Sequence, residues 1–180
     1  MKIKGISFSV SAICALALYY GVAYYLPQSH GYFRFGGWLR GFLCHFIFKK
    51  MGNNVNIERR ANFGSGRNIE IGDNSGLGIN STIPSNTIIG SNVMMGPNCY
   101  ILASNHSFER IDIPMIRQGR AEIKQTIIED DVWIGRNVTM TPGRHIKKGS
   151  IIGACCVLTK DFPEYSIVGG NPSRLIKSRK

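Results

Sequence analysis

Residues 127–158, IIEDDVWIGRNVTMTPGRHIKKGSIIGACCVL, decide the fold class of this 180-residue chain. Within them a large aliphatic side chain or a methionine returns at every sixth position: Ile128, Ile134, Met140, Ile146, Ile152 and Leu158. The same step occurs upstream at Ile71, Leu77, Ile83, Ile89, Met95 and Ile101, after a weaker run at Ile57, Phe63 and Ile69. A fixed period over such a length is typical of a stacked repeat architecture.

The residues between these positions indicate how one repeat folds. Glycine often follows the aliphatic residue, and the fifth position is small or β-branched, as at Ser75, Cys99 and Val132. Each six residues therefore form one short strand and one turn, with one large side chain pointing inward. Three such units close a triangular coil of about 18 residues, and coils must stack to cover their apolar sides. A helix is excluded because six is not a multiple of about 3.6.

The two blocks of repeats are out of phase with each other. Ile101 and Ile128 are 27 positions apart, which is not a multiple of six. An irregular loop therefore leaves the solenoid at about residues 104–125, and it contains His106. Loops that break a regular scaffold often carry function, so we expect the active site here.

Residues 1–54 have a different character from the repeat domain, which we assign to residues 55–180. No charged residue lies between Gly5 and Ser29. From Ile6 to Leu26, 17 of 21 residues are apolar, a run long enough to cross a bilayer as a helix.

A second N-terminal segment has apolar residues at helical spacing: Phe35, Trp38, Leu39, Phe42, Leu43, Phe46 and Ile47. Basic residues surround it: Arg34, Arg40, Lys49 and Lys50. This pattern favours an amphipathic helix on an anionic membrane surface. The alternatives are a helical pair that packs on the rest of the protein and a cleaved signal peptide.

The composition narrows the functional classes. The net charge is +11, and residues 1–54 and 172–180 hold six and four basic residues without any acidic one. Two basic ends beside a nearly neutral middle of the chain indicate that the partner is an anionic surface or a phosphorylated ligand. Five cysteines without a CxxC pair argue against a disulfide scaffold or a zinc ribbon, and we expect no metal. No nucleic-acid-binding motif is present, so we expect no nucleic-acid partner.

Residues 127–176, with the elements VWIG, IIGA, TKD and GNPSR, closely resemble the C-terminal half of hexapeptide-repeat acyltransferases of the maltose and galactoside O-acetyltransferase group. The YYLP and NIERRANFGSG elements are more similar to members that modify capsule or exopolysaccharide. The resemblance implies a left-handed parallel β-helix and a homotrimer with active sites between neighbouring subunits. The fold class that we expect is this all-β solenoid with an N-terminal hydrophobic helical segment and a short C-terminal helix.

The resemblance also assigns the acceptor side of the site. It implies that His106 is the general base that takes the proton of a sugar hydroxyl. It places Asn80 beside the acceptor and Trp133 along the acetyl and pantetheine channel, with Asn105 and Arg110 as further acceptor-binding candidates. The alternatives are a corner residue for Asn80 and a packing role for Trp133.

Acetyl-CoA is the co-substrate that the resemblance implies. The residues expected to bind it are Gly135, Arg136, Ala154, Thr159, Lys160, Arg174 and Lys177. Small residues let the pantetheine arm approach the backbone, and cations suit the phosphates. Cys155 and Cys156 replace the usual small pair; we expect Cys156 to fill a corner, although a thiol could in principle accept the acetyl group.

The leading hypothesis is an acetyl-CoA-dependent O-acetyltransferase that acts on a sugar of a surface polysaccharide or of its lipid-linked precursor. We expect it on the cytoplasmic side, associated with the membrane. Acetylation of an antibiotic or an amino sugar on the same fold is the alternative, and a non-catalytic membrane-tethered solenoid scaffold is the alternative from another class. A zinc lyase resembling γ-type carbonic anhydrases would need three histidine ligands, and the repeats contain only His106 and His145.

Overall fold

The computed structural model of the protein describes residues 9–29 and 34–180, together with the backbone of residues 2–3 and 6–7. Strands β1 (Lys2–Ile3) and β2 (Ile6–Ser7) pair antiparallel. Helices α1 (Val10–Gly21) and α2 (Arg34–Ile47) follow, and a 3-10 turn at Ala23–Tyr25 continues from α1.

The rest of the chain is a series of short strands. They are β3 (Lys50–Met51), β4 (Asn56–Ile57), β5 (Glu70–Ile71), β6 (Gly76–Leu77), β7 (Ile88–Ile89), β8 (Met94–Met95), β9 (Tyr100–Ile101), β10 (Ile127–Ile128), β11 (Trp133–Ile134), β12 (Thr139–Met140), β13 (His145–Ile146), β14 (Ile151–Ile152), β15 (Val157–Leu158), β16 (Ser166–Gly169) and β17 (Arg174–Ser178). A second 3-10 turn, Met115–Arg117, lies in the long loop between β9 and β10.

These strands stack in parallel into the three faces of a triangular solenoid. The first face contains β3, β5, β7, β10 and β13. The second runs from β4 and β6 through β8, β11, β14 and β16, and the third contains β9, β12 and β15. Ile71 pairs with Ile89, and Ile128 with Ile146, so successive coils are 18 residues apart. The predicted hexapeptide solenoid is confirmed.

The core of the solenoid is the column of aliphatic side chains that the period predicts. Each predicted inward residue is at most 4% exposed except Met95, which is half-buried. Full burial of one such side chain contributes about 1.5–3 kcal/mol, so the stacked column is the main source of stability. The small side chains at the fifth position, including Ser75, Cys99 and Val132, are also buried.

Helices α1 and α2 pack on the first coil of the solenoid. Ala15, Tyr19 and Ala23 are buried, and the Tyr19 hydroxyl donates to the Ala61 carbonyl oxygen at 2.8 Å. The apolar run from Ile6 to Leu26 does not form one continuous helix, because α1 covers 12 residues and a 3-10 turn follows it. No helix among the described residues has the length and apolar character that a membrane crossing requires.

Arg40 corrects the expected surface pattern of α2, because its side chain is fully buried rather than solvated. Its guanidinium donates to five oxygens: the carbonyls of Ile57 (2.7 Å), Ala23 (3.2 Å), Leu26 (3.1 Å) and Pro27 (3.0 Å), and Ser29 Oγ (3.2 Å). The Glu58 carboxylate lies 4.0 Å away. A buried cation needs such a full set of acceptors.

Two further expectations change at the ends of the solenoid. The short C-terminal helix was wrong, because β17 is a strand that pairs antiparallel with β16. The last coil leaves backbone donors and acceptors on the edge of β16, and an antiparallel strand satisfies them. At the other end the solenoid begins with β3 at Lys50, before the boundary set at residue 55.

Candidate active site

The loop that carries His106 has a defined shape because it bonds to itself. His106 and Arg120 form an antiparallel bridge. Ser107 N donates to the Gly119 carbonyl oxygen at 3.2 Å, and Ala121 N donates to that of Asn105 at 2.9 Å. The two strands of the loop are thus held side by side where it leaves the solenoid.

The geometry of the His106 ring suits a base. The ring is exposed, and its Nδ1 lies 3.3 Å from the Gly119 carbonyl oxygen. A carbonyl oxygen can only accept a hydrogen bond, so this contact places the proton of the neutral ring on Nδ1. Nε2 then keeps its lone pair, and it has no hydrogen-bond partner among residues 9–29 and 34–180.

Two clefts flank the loop. One, of about 270 Å³, is lined by Tyr100, Leu102, Ala103, Ser104, His106 and Arg120. The other, of about 360 Å³, is lined by Asn105, Ala121, Glu122, Lys124, Thr141, Pro142, Arg144 and Thr159. A larger cleft of about 730 Å³ lies between α2 and the first coil, and none of the predicted site residues lines it.

Lys124 and Arg144 are cations beside the second cleft that the sequence analysis missed. Arg144 Nη1 donates to the Thr159 carbonyl oxygen at 3.0 Å and lies 3.4 Å from an oxygen of Asp161. The sequence contained a signal for Arg144. Thr141 lies 18 residues, or one coil, before Thr159 and therefore stacks on it, and Arg144 follows Thr141 by three residues.

Arg110 is held within the loop. Its guanidinium forms a close ion pair with the Asp112 carboxylate, which raises the pKa of Arg110 and lowers the pKa of Asp112. The Gln118 amide clamps the same turn, because it accepts from Arg110 N at 3.1 Å and donates to the Arg110 carbonyl oxygen at 2.7 Å. Arg110 therefore already has a partner inside the loop.

A second group of predicted residues lies at the corner between the second and third faces. Asn80 Nδ2 donates to Asn98 Oδ1 at 3.1 Å, and Asn98 Nδ2 donates to Asn137 Oδ1 at 3.0 Å. All three have positive φ, which asparagine tolerates better than most residues. Asn80 therefore lies in a row of stacked corner asparagines. Trp133 is half-exposed on β11, beside Met94 of β8.

Coil stacking explains Gly135 at this corner. A Cβ added there would lie 2.6 Å from the Ala154 nitrogen, so the next coil fills the space that a side chain would need. Arg136 and Ala154 are exposed at the same corner. Cys156 is buried, and burial raises the pKa of its thiol, which opposes the role of a nucleophile.

The predicted phosphate-binding residues lie near the C-terminal end. Thr159 N donates to Ser173 Oγ at 3.1 Å, which ties this corner to the β16–β17 hairpin. Lys160 is exposed, with its Nζ 5.5 Å from the centre of the Phe162 ring. Arg174 and Lys177 are exposed on β17.

These repeats match a known family model, described as bacterial transferase hexapeptide (six repeats), over residues 68–103 and 125–160. Residues 68–103 and 125–160 are therefore repeats of the hexapeptide transferase type. A hexapeptide-repeat-containing acetyltransferase from Vibrio cholerae has the same fold, with a TM-score of 0.76 and 26% identity over 96% of this chain and 94% of that one. Its complex with acetyl coenzyme A aligns at 29% identity over 78% of this chain and 76% of that one, with a TM-score of 0.71.

Two further relatives differ in what their names say they acetylate. A maltose O-acetyltransferase from Clostridium difficile 630 is 27% identical over 96% of this chain and 90% of its own, with a TM-score of 0.73. A chloramphenicol acetyltransferase of Klebsiella aerogenes is 48% identical over 54 residues, 30% of this chain. That match spans only about a quarter (26%) of the curated relative's length.

Within one chain of this hexapeptide-repeat protein, the predicted residues form two separate groups. Asn105, His106 and Thr159 lie where the third face turns into the first, whereas Trp133 and Arg136 lie on the second face and its corner with the third. The width of the third face separates them. Among the described residues, no cluster of three or more His, Cys, Asp or Glu side chains could hold a metal ion.

Proposed function

We propose that the chain is an acetyl-CoA-dependent O-acetyltransferase that acetylates a sugar hydroxyl of a surface polysaccharide or of its lipid-linked precursor. The observation that carries the proposal is the His106 ring, exposed beside a cleft with Nδ1 against the Gly119 carbonyl oxygen. The neighbours that bind acetyl coenzyme A and that are named for maltose support the donor and the acceptor class. Because CoA is a cytoplasmic metabolite, we place the site on the cytoplasmic side.

His106 would act on the acceptor. Nε2 takes the proton of the sugar hydroxyl while the hydroxyl oxygen attacks the thioester carbonyl carbon. A new C–O bond forms and the C–S bond breaks. The proton on Nε2 passes to the departing CoA sulfur, so the ring returns to its neutral form and the products are an acetyl ester and free CoA. The carbonyl of Gly119 keeps the ring in the correct tautomer throughout.

The donor side of the proposal rests on charge and exposure. Lys160, Arg174 and Lys177 are exposed cations near the C-terminal end, and CoA carries a pyrophosphate and a 3′-phosphate. Lys124 and Arg144 add positive charge at the second cleft beside the loop. Arg136 and Ala154, at the other corner, would line the pantetheine arm of a donor shared between copies.

We further propose a homotrimer with its sites between subunits. The separation of the two residue groups supports this assembly, because a neighbouring copy would bring the Trp133 corner of one chain to the His106 loop of another. In addition, the loop exposes Phe108, Ile111 and Ile116, and apolar side chains exposed in this number favour a contact surface.

Antibiotic acetylation is the second candidate. The specific observation in its favour is the match to a chloramphenicol acetyltransferase and to a probable macrolide acetyltransferase of Lysinibacillus sphaericus, which is 50% identical over 54 residues. The acceptor is chosen by the pocket and not by the CoA-binding residues, so a panel of acceptors separates the two functions. The panel should contain maltose, a galactoside, an amino sugar, chloramphenicol and a macrolide.

The first experiment is calorimetric titration of the purified full chain with acetyl-CoA. Saturable binding near one site per subunit is expected and requires no knowledge of the acceptor. An intact trimer that binds no acetyl-CoA would contradict the enzyme assignment and favour the non-catalytic scaffold.

The His106→Ala variant tests the general base. Turnover on the acceptor identified by the panel should fall by about 10²–10⁴-fold, because a positioned base contributes that much. Affinity for acetyl-CoA should stay at the wild-type value. His45→Ala is the matched control, since His45 is an exposed histidine on α2. Wild-type turnover of His106→Ala would exclude His106 as the base.

A further inference from the structure

The outward face of α1 is apolar, and none of residues 9–29 and 34–180 covers it. Ala15, Tyr19 and Ala23 face the solenoid, yet Val10 and other large apolar side chains on the opposite side are between 40% and 77% exposed. The others are Ile13, Leu18 and Val22. No residue from 9 to 29 is charged. A helix that is apolar on all sides is normally buried or in contact with lipid.

Helix α2 presents a row of four aromatic rings on its exposed side. Phe35, Trp38, Phe42 and Phe46 are 46–62% exposed, and successive ring centroids are 5.3–5.7 Å apart. The opposite side of the helix packs on the solenoid through buried Leu43. Since one aromatic side chain has about 150–250 Å² to bury, four half-exposed rings expose roughly 300–500 Å², comparable with the largest patch of a typical monomer. We call this row, together with the exposed face of α1, the apolar cap.

Positive charge borders the apolar cap. Residues 1–54 contain six basic residues and no acidic one, and one of the six, Arg40, is buried and does not contribute to this border. Arg34 begins α2, is exposed, and lines the same cleft as Trp38 and Phe42, so cation and rings share one side of the helix. Lys50 is exposed just after the helix. Aromatic and aliphatic side chains with basic residues at their border are the composition of surfaces that bind anionic membranes.

We infer that the apolar cap is a membrane-docking surface for anionic phospholipid. The rings of α2 and the exposed side chains of α1 enter the boundary between headgroups and acyl chains, and Arg34 and Lys50 meet the headgroup phosphates. A second copy fits less well, because a contact between two identical caps would bring like charges together without any acidic residue in residues 1–54 to pair with them. The inference does not depend on the proposed acetyl transfer.

Vesicle binding by the full chain tests the inference. The protein should sediment with vesicles of phosphatidylcholine mixed with phosphatidylglycerol, and more weakly with phosphatidylcholine alone or at high salt. In the double variant Trp38→Ser/Phe42→Ser, affinity for the mixed vesicles should fall at least about tenfold, because two half-buried aromatic contacts are lost. Leu175→Ser is the matched control, since Leu175 is 51% exposed, like the rings of α2, but lies on β17.

A spectroscopic measurement supports the binding assay. The chain has two tryptophans, so Trp133→Phe leaves Trp38 as the only reporter. Its emission should shift to shorter wavelength when mixed vesicles are added. The inference is overturned if the wild type does not bind these vesicles, if the double variant binds like the wild type, or if the cap instead drives self-association that Trp38→Ser/Phe42→Ser abolishes. Acetyl-CoA titration of the double variant separates this outcome from the enzyme assignment.

Discussion

Replacing Arg40 with alanine should loosen the junction between the helices and the solenoid. The Arg40 side chain is fully buried and joins three parts of the chain. Its acceptors at Ala23 and Leu26 belong to the connection between α1 and α2, and its shortest hydrogen bond, 2.7 Å, reaches the carbonyl oxygen of Ile57 in β4. Alanine leaves these carbonyls, and the Glu58 carboxylate, without the cation that faces them.

The magnitude follows from the hydrogen bonds. A hydrogen bond to a charged group contributes about 1.5–3 kcal/mol, so five of them set an upper bound near the whole stability of a protein, about 5–15 kcal/mol. The losses are not additive, because water can enter the space that the side chain leaves. Breaking a buried charge arrangement costs about 3–5 kcal/mol in measured cases, and this is the loss of stability that we expect. At about 2–4 °C per kcal/mol, the Tm should fall by roughly 6–20 °C.

Thermal unfolding followed by circular dichroism at equal protein concentration is the assay. Arg40→Lys keeps the charge but offers three donors instead of five, so its Tm should lie between those of the wild type and Arg40→Ala. Arg34→Ala is the control, since an exposed arginine should change the stability by no more than about 0.5 kcal/mol. An Arg40→Ala protein with the same Tm as Arg34→Ala would refute the reasoning.

Two further predictions concern charge and thiol reactivity. Lys160→Ala should weaken acetyl-CoA binding, and the loss should be larger at low salt than at high salt. Lys148→Ala, which removes an exposed charge at another corner, should leave the affinity unchanged. Calorimetry at two ionic strengths checks this, and equal affinities of Lys160→Ala and the wild type at low salt would contradict it. A thiol reagent at pH 8 should label Cys14 and Cys155, which are exposed, and spare Cys99. Burial raises the pKa of Cys99 to about 11, so its thiol stays protonated at this pH. Mass spectrometry of the labelled peptides checks this, and early labelling of Cys99 would contradict it.

The repeat could be predicted from the sequence because each six-residue unit repeats the same local requirement. A large side chain points inward, a small one fills the corner, and the 18-residue coil follows from three such units. The interruption after Ile101 was visible as a break in the same period, and it located His106. Met95 follows the pattern but is only half-buried, because it lines a cleft of about 420 Å³ beside Leu77.

The helices were harder to predict because their environment is tertiary. Arg40 lies on α2 among residues that suggested a polar face, and nothing in the local sequence shows that distant carbonyls, such as that of Ile57, surround it. Hydropathy likewise left the end of α1 at Gly21 open, since an apolar run is compatible with burial against the protein as well as with membrane contact.

The candidate site could be predicted only in part. The family resemblance supplied the residues, but not their separation into two corners of one chain. Gly135 shows the same limit, because a Cβ there would lie 2.6 Å from the Ala154 nitrogen of the next coil, a contact that the local sequence does not show. Stacking distances between coils are a property of the folded solenoid, and no single repeat contains them.

The long loop interrupts the chain without disturbing the scaffold. Ile128 pairs with Ile89, Met95 with Ile134 and Met140 with Ile101, each 39 residues apart where a regular coil spans 18. All three faces therefore absorb the same 21 additional residues at a single corner. A loop inserted at one corner in this way can be lengthened, shortened or replaced by mutation, while every inward side chain keeps its place in the stacked core. The solenoid can thus acquire a different acceptor without being refolded, and this separates the evolution of specificity from that of stability.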